Sequence, residues 1–116
     1  MSEISIYHNP RCSKSRQTLA VLEENGFDAD VIEYLKTPPT VEELTTILEQ
    51  LGFTARQLLR KGEAIYKELN LKEESFSEEQ LIQAMCDHPK LIERPIVIHE
   101  GRAKIGRPPE SVLEIL

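Results

Sequence analysis

Three short segments in a fixed order constrain this chain's fold more than anything else in it. Ile4-Ser5-Ile6-Tyr7-His8 is mostly apolar, Asn9-Pro10-Arg11-Cys12 is punctuated by proline, and Ser13 to about Asn25 carries Leu19, Val21 and Leu22 before Gly26. The first segment reads as a strand and the last as a helix that glycine stops. Asp30-Val31-Ile32-Glu33-Tyr34 reads as a second strand, expected to be parallel to the first because a helix joins them. Such a βαβ opening puts Cys12 at the carboxyl end of the first strand, where open α/β sheets commonly bind ligands.

A cysteine at the start of a helix faces backbone N–H groups and the positive end of the helix dipole. Both favour thiolate over thiol and both attract anions. The same few atoms can therefore serve as nucleophile and as the floor of an oxyanion pocket. A helix terminus contributes only on the order of 0.3–2 kcal/mol, so full activation needs a nearby cation. His8, Arg11 or an arginine folding over the site would supply it. The bland reading of Cys12 is a small residue at a turn; of His8, a strand-end histidine that hydrogen-bonds the turn.

Charge sharpens the picture. The formal net charge is −6, with 20 acidic and 14 basic residues, which argues against general nucleic-acid binding. Yet no Asp or Glu falls between Ile4 and Leu22, where Arg11, Lys14 and Arg16 lie, nor between Gly101 and Pro109, where Arg102, Lys104 and Arg107 lie. An acidic chain with two acid-free basic segments can focus positive potential on a small anion. Chance clustering on a solvated face is the alternative. At 116 residues a single domain, 1–116, is expected, with a core that needs no disulfide or metal. Met1-Ser2-Glu3-Ile4 lacks a basic n-region and a long apolar stretch follows nowhere, so neither a signal peptide nor a membrane span is expected. Two distant cysteines form no disulfide framework and point to a reducing cytoplasm.

Thr37-Pro38-Pro39-Thr40 interrupts the pattern, and a helical middle follows. Thr40 with Glu43 and Ser77 with Gln80 fit capping boxes, opening helices to about Gln50 and over Glu78 to Asp87. Shorter helices are expected over Thr54 to Lys61 and Glu63 to Leu69. After Arg94-Pro95, Ile96-Val97-Ile98-His99 and Arg102-Ala103-Lys104-Ile105 flank Glu100-Gly101, a hairpin with a two-residue turn. Pro108-Pro109 starts a last helix, Glu110 to Leu116, with Val112, Leu113 and Leu116 apolar.

Tyr7-His8-Asn9-Pro10 followed by Cys12 and Ser15-Arg16, then Tyr34-Leu35 with Thr37-Pro38-Pro39-Thr40, carry a likeness. Leu58-Leu59-Arg60-Lys61, His88-Pro89, Arg94-Pro95-Ile96-Val97 and Arg107-Pro108 continue it in order over nearly the whole chain. The chain resembles the glutaredoxin-dependent arsenate reductase family. That resemblance implies an α/β, thioredoxin-like fold (βαβ…ββα) with a helical insertion, about 40–88, between the second and third strands. It implies a Cys12 nucleophile that attacks arsenate, Arg60, Arg94 and Arg107 as the arginines that hold the oxyanion, and His8 as a histidine linked to the reactivity of the thiol. Pro95 matches the proline that such folds keep in cis. Glutathione would be the co-substrate and glutaredoxin the partner, with no bound cofactor.

Arginine suits the oxyanion role because its planar fork binds tetrahedral anions in bidentate fashion and stays charged. Cys86 shares a helical face with Leu81, Ile82 and Met85 and reads as core packing rather than a resolving thiol. His88 and His99 read as structural or exposed, and no cysteine–histidine spacing fits a metal site. A cysteine-based phosphatase would place an arginine six positions after the cysteine, where Thr18 stands. Two rivals remain. One is a thiol oxidoreductase of the same family acting on glutathione adducts or another small substrate. The other is a non-catalytic interaction protein resembling the Spx-type transcription regulators, which usually carry a second cysteine where this chain has Ser15.

Overall fold

The structure, a computed structural model, describes residues 4–116. Met1-Ser2-Glu3, on which the signal-peptide reading rests, lies outside the described residues. The chain divides into two compact units: the described part of Met1–Thr37 with Arg94–Leu116, and Pro38–Glu93.

The first unit holds β1 (Ile4–Tyr7), α1 (Ser13–Glu24), β2 (Asp30–Ile32), β3 (Ile96–His99), β4 (Arg102–Ile105) and a 3₁₀ helix over Pro109–Ile115. The sheet order is β2-β1-β3-β4, with β1 parallel to β2 and the other two pairs antiparallel. This is the thioredoxin-like βαβ…ββα arrangement. Its two inner strands are the apolar ones, and the polar segments Asp-Val-Ile and Arg-Ala-Lys-Ile take the edges. Ile4, Ile6, Leu22, Val97, Val112 and Ile115 form one buried cluster joining sheet, α1 and the 3₁₀ helix. At roughly 1.5–3 kcal/mol for each such side chain buried, this cluster is the main force holding α1 on the sheet.

Two expectations need correction. The last segment is a 3₁₀ helix rather than an α-helix. Its buried residues are Pro109, Val112 and Ile115, a spacing of three that matches three residues per turn, whereas Leu113 is exposed. Two adjacent prolines also remove N–H donors at its start. The second strand ends at Ile32 rather than Tyr34, because Glu33 begins a turn whose carbonyl accepts from the Lys36 and Thr37 N–H groups.

Register then decides what meets at the sheet's end. Glu100 and Gly101 both have positive φ, 49° and 78°, as a two-residue hairpin turn requires. Ile96 consequently pairs with Ile105, and beyond the ladder the Gly106 N–H donates to the Pro95 carbonyl at 3.0 Å. The next residues, Arg94 and Arg107, stand opposite one another. Because β1 and β3 are antiparallel, this edge is also the carboxyl end of β1, from which the Cys12 loop departs.

In the second unit, α5 (Glu78–Asp87) packs against α2 (Val41–Leu51) and α3 (Ala55–Leu58), which bury Leu44, Ile47, Leu58, Leu81, Ile82 and Met85, and α4 (Ala64–Glu68) lies between α3 and α5 in the chain. Both expected capping boxes are present, and a third joins Thr54 to Gln57. The α3 helix is shorter than the expected Thr54 to Lys61. Leu59 turns extended (φ −67°, ψ 135°) and forms an isolated bridge to Ile92. Among the described residues no helix is long and apolar enough to cross a membrane.

Gly106 is the tightest point of the first unit. A Cβ built there would lie 2.8 Å from Pro95 Cγ and 2.9 Å from Thr18 Cγ2, with all three residues buried. Gly106→Ala is therefore expected to lower stability by about 1–3 kcal/mol, read as a fall in the urea midpoint at unchanged m. An unchanged midpoint would show that the contact yields freely.

Candidate active site

The site is built from the loop after β1 upward. Asn9 and Pro10 lead a tight turn in which the Cys12 N–H donates to the Asn9 carbonyl at 3.0 Å. The Asn9 side-chain oxygen accepts the Arg11 N–H at 3.0 Å, and Arg16 reaches back to donate to the Pro10 carbonyl at 2.8 Å. The loop is thus braced at three successive residues. Cys12 is the N-cap of α1, with extended backbone (φ −95°, ψ 122°), and its carbonyl accepts the Arg16 N–H. Its side chain makes no capping bond, and no acid occupies the first turn. The sulfur is left at the positive end of α1, partly exposed.

Arg107 supplies the cation. Its Nη2 lies 3.8 Å from Cys12 Sγ, while its Nε donates to the Arg94 carbonyl at 2.9 Å. One edge of the guanidinium is therefore fixed on the backbone and another is turned to the thiol. Arg94 stands beside Arg107 through this contact. Both Arg94–Pro95 and Arg107–Pro108 are cis peptides; the first matches the proline singled out in the sequence, and the second was not expected.

His8 has a different role from the cation that the sequence offered. It is buried, and burial holds its imidazole below the ordinary 6.5; the Glu33 carboxylate opposes the shift and Arg16 adds to it. The ring is neutral at physiological pH. Its Nδ1 lies 2.6 Å from Ser15 Oγ, which also accepts the Asn9 N–H at 3.0 Å. A neutral ring is best satisfied with the Ser15 hydroxyl donating to Nδ1, which leaves the ring proton on Nε2. Ser15, fully buried, therefore bonds His8 and the loop rather than the thiol. His8 positions the loop that carries Cys12.

Arg60 belongs to the second unit. Half-buried there, it is held by Glu63 at 3.2 Å and Glu93 at 3.5 Å, and its N–H donates to the Leu91 carbonyl at 2.8 Å. Its guanidinium is aimed by two carboxylates, a framework that the Leu59–Ile92 bridge sets up. Cys86, in the same unit, is only partly buried; burial raises its thiol pKa, and the Asp87 and Glu43 carboxylates add to the rise. It is held as a thiol, a poor nucleophile. His99 is buried and its Nδ1 lies 2.7 Å from the Ile115 carbonyl, a structural contact. Among the described residues no group of three or more His, Cys, Asp or Glu is placed to hold a metal.

The sequence reading missed Thr18 and Gly106. Thr18 Oγ1 donates to the Lys14 carbonyl at 2.8 Å and lies 3.4 Å from the Gly106 carbonyl, so α1 touches the residue just before Arg107. Thr18 shares the buried face of α1 with Ser15 and Leu22, and a small polar residue at helical spacing from Leu22 was the available signal.

The His8 environment has a measurable consequence. Because its folded-state pKa lies below 6.5, unfolded chains take up a proton that folded chains refuse as the pH falls through 6.5. Stability is untouched by this residue above that value, declines below it, and levels once the folded imidazole also titrates. Urea unfolding at pH 7.5 and 5.5 should show this loss, and His8→Gln should reduce it. An NMR titration midpoint at or above 6.5 would refute the burial argument. Ser15→Ala removes the partner of two buried groups and is expected to cost about 1–3 kcal/mol.

Comparison with known proteins identifies the family. The ArsC family model matches residues 7–115. An uncharacterized protein of Escherichia coli K12, YfgD, is 58% identical over 98% of this chain and 97% of its own length. An arsenate reductase of Neisseria meningitidis serogroup A is 48% identical over the whole of both chains. A solved arsenate reductase structure from Vibrio cholerae superposes with a TM-score of 0.95 at 56% identity, covering 97% of each chain. With a family match over nearly its full length and relatives this similar, the chain belongs to the ArsC family.

Proposed function

We propose that this protein is an enzyme that reduces arsenate to arsenite through the Cys12 thiolate, with glutathione and glutaredoxin as the reducing system. The contact between Arg107 Nη2 and Cys12 Sγ carries the reading, because it sets an anion-binding fork beside the nucleophile. The names of the relatives support arsenate as the oxyanion.

In the proposed cycle the Cys12 thiolate attacks arsenic and displaces one oxygen as water, forming an S–As(V) bond. Arg107 and Arg94 hold the remaining oxygens, and Arg60 is proposed as the third arginine. The glutathione thiolate then attacks the Cys12 sulfur. The electron pair of the S–As bond passes to arsenic, which leaves as arsenite, and the Cys12 and glutathione sulfurs are joined as a disulfide. Glutaredoxin reduces that disulfide and restores Cys12. An outside thiol is needed because Ser15, three residues after Cys12, carries no sulfur, and Cys86 is held protonated. This chemistry suits a reducing cytoplasm.

The test is a coupled assay with arsenate, glutathione, glutaredoxin and an NADPH recycling system, quantifying arsenite. Native protein is expected to turn over and Cys12→Ser to be inert. Arg107→Ala should lower kcat/KM for arsenate by about ten- to hundredfold, the value of a lost charge-assisted hydrogen bond. Absence of arsenite from the native reaction would overturn arsenate as substrate.

A further inference from the structure

A groove of about 190 Å³ lies beside the Cys12 loop, lined by His8, Asn9 and Arg11 on one side and by Glu33, Leu35 and Lys36 on the other. We propose that this groove seats the γ-glutamyl end of the thiol co-substrate, its α-carboxylate on Arg11 and Lys36 and its α-ammonium on Glu33. The proposal rests on glutathione being the reductant and adds where and how it is held.

Position comes first. The groove forms because β1 and β2 are parallel, so the segments leaving both strands emerge at one edge. The His8 N–H donates to the Ile32 carbonyl at 2.8 Å and ties the two segments together there. Asn9 and Arg11, on the groove wall, belong to the turn that closes on Cys12. The groove wall at Arg11 is thus the residue next to Cys12 in the chain.

Charge and size then select the ligand. A bare oxyanion would call for cations alone, and Glu33 repels it. Glu33 and Lys36 are partners at 3.4 Å, with Lys36 largely exposed, so a cation and an anion sit side by side at the rim. That pattern matches an amino acid head group, which presents ammonium and carboxylate on one carbon. The volume is below the ~300–1,000 Å³ of sites that enclose drug-sized ligands, so the groove holds one end of a tripeptide and leaves the thiol free to reach Cys12. Leu35, exposed at the rim, offers apolar surface for the methylene stem of the γ-glutamyl group.

The experiment needs no arsenate, so its failure is separate from failure of the arsenate reading. In full-length Cys86→Ser protein, Cys12 is labelled as a mixed disulfide with 5-thio-2-nitrobenzoate. An added thiolate attacks the Cys12 sulfur, the coloured aryl thiolate leaves with the electron pair of the old S–S bond, and a new mixed disulfide remains. Release is timed with glutathione, γ-glutamylcysteine, cysteine and 2-mercaptoethanol, each corrected for its thiolate fraction. Glutathione and γ-glutamylcysteine should outpace 2-mercaptoethanol alike. Glu33→Lys and Lys36→Glu should each cut that preference by about two- to fivefold, as expected for exposed charge contacts. Preferences that survive both substitutions overturn the proposal. So does an equal slowing of all four thiols, which would place the effect on Cys12 itself, or a preference shown by glutathione and absent from γ-glutamylcysteine.

Discussion

The close approach of α1 to the end of the β3–β4 hairpin underlies the candidate site. Gly106 passes between Thr18 and Pro95 with no room for a side chain, and its N–H is spent on the Pro95 carbonyl. That contact sets the height at which the chain leaves β4, and so the height at which Arg107 meets Cys12. An arginine side chain has several rotatable bonds, and one merely near a thiol would lose much of its effect to motion. Here its Nε is anchored on the Arg94 carbonyl, which leaves less freedom for the Nη2 that faces sulfur.

Two kinds of support converge on the Cys12 loop. The backbone braces the loop through the Asn9 turn, the Asn9 side chain and the Arg16 bond to Pro10. Beneath it, Ser15 and His8 form a small buried polar pair. Such a pair is costly to break because each partner would be left unsatisfied, which is a reason for rigidity rather than for reactivity. His8 therefore acts on Cys12 through the shape of the loop. The positive charge beside its sulfur comes from the helix start and from Arg107.

Much of the candidate site was legible because local rules govern it. The strand–turn–helix order placed Cys12, and proline and asparagine marked the turn. The hairpin pattern held more than was taken from it. A two-residue turn at Glu100-Gly101 makes residues that lie equally far on either side face each other, so Arg94 and Arg107 are opposite by counting alone. The errors came where long-range contacts override local preference. Leu59 leaves its helix to bridge Ile92, Glu33 turns out of β2, and the last helix adopts a three-residue repeat to bury Val112 and Ile115.

By itself, the amino-acid order determined the βαβ opening and closing hairpin, the cysteine at the start of α1, the capped helices and the pair of arginines flanking the hairpin, while the thioredoxin-like topology was implied by the family resemblance. These follow from spacing, capping chemistry and turn geometry, all of which act within a few residues. Only the tertiary structure decided that His8 is neutral, that Ser15 serves the loop and that Thr18 and Gly106 bring the hairpin end against α1. Burial, and the meeting of atoms as far as 95 residues apart, are properties of the packed chain and have no local signature.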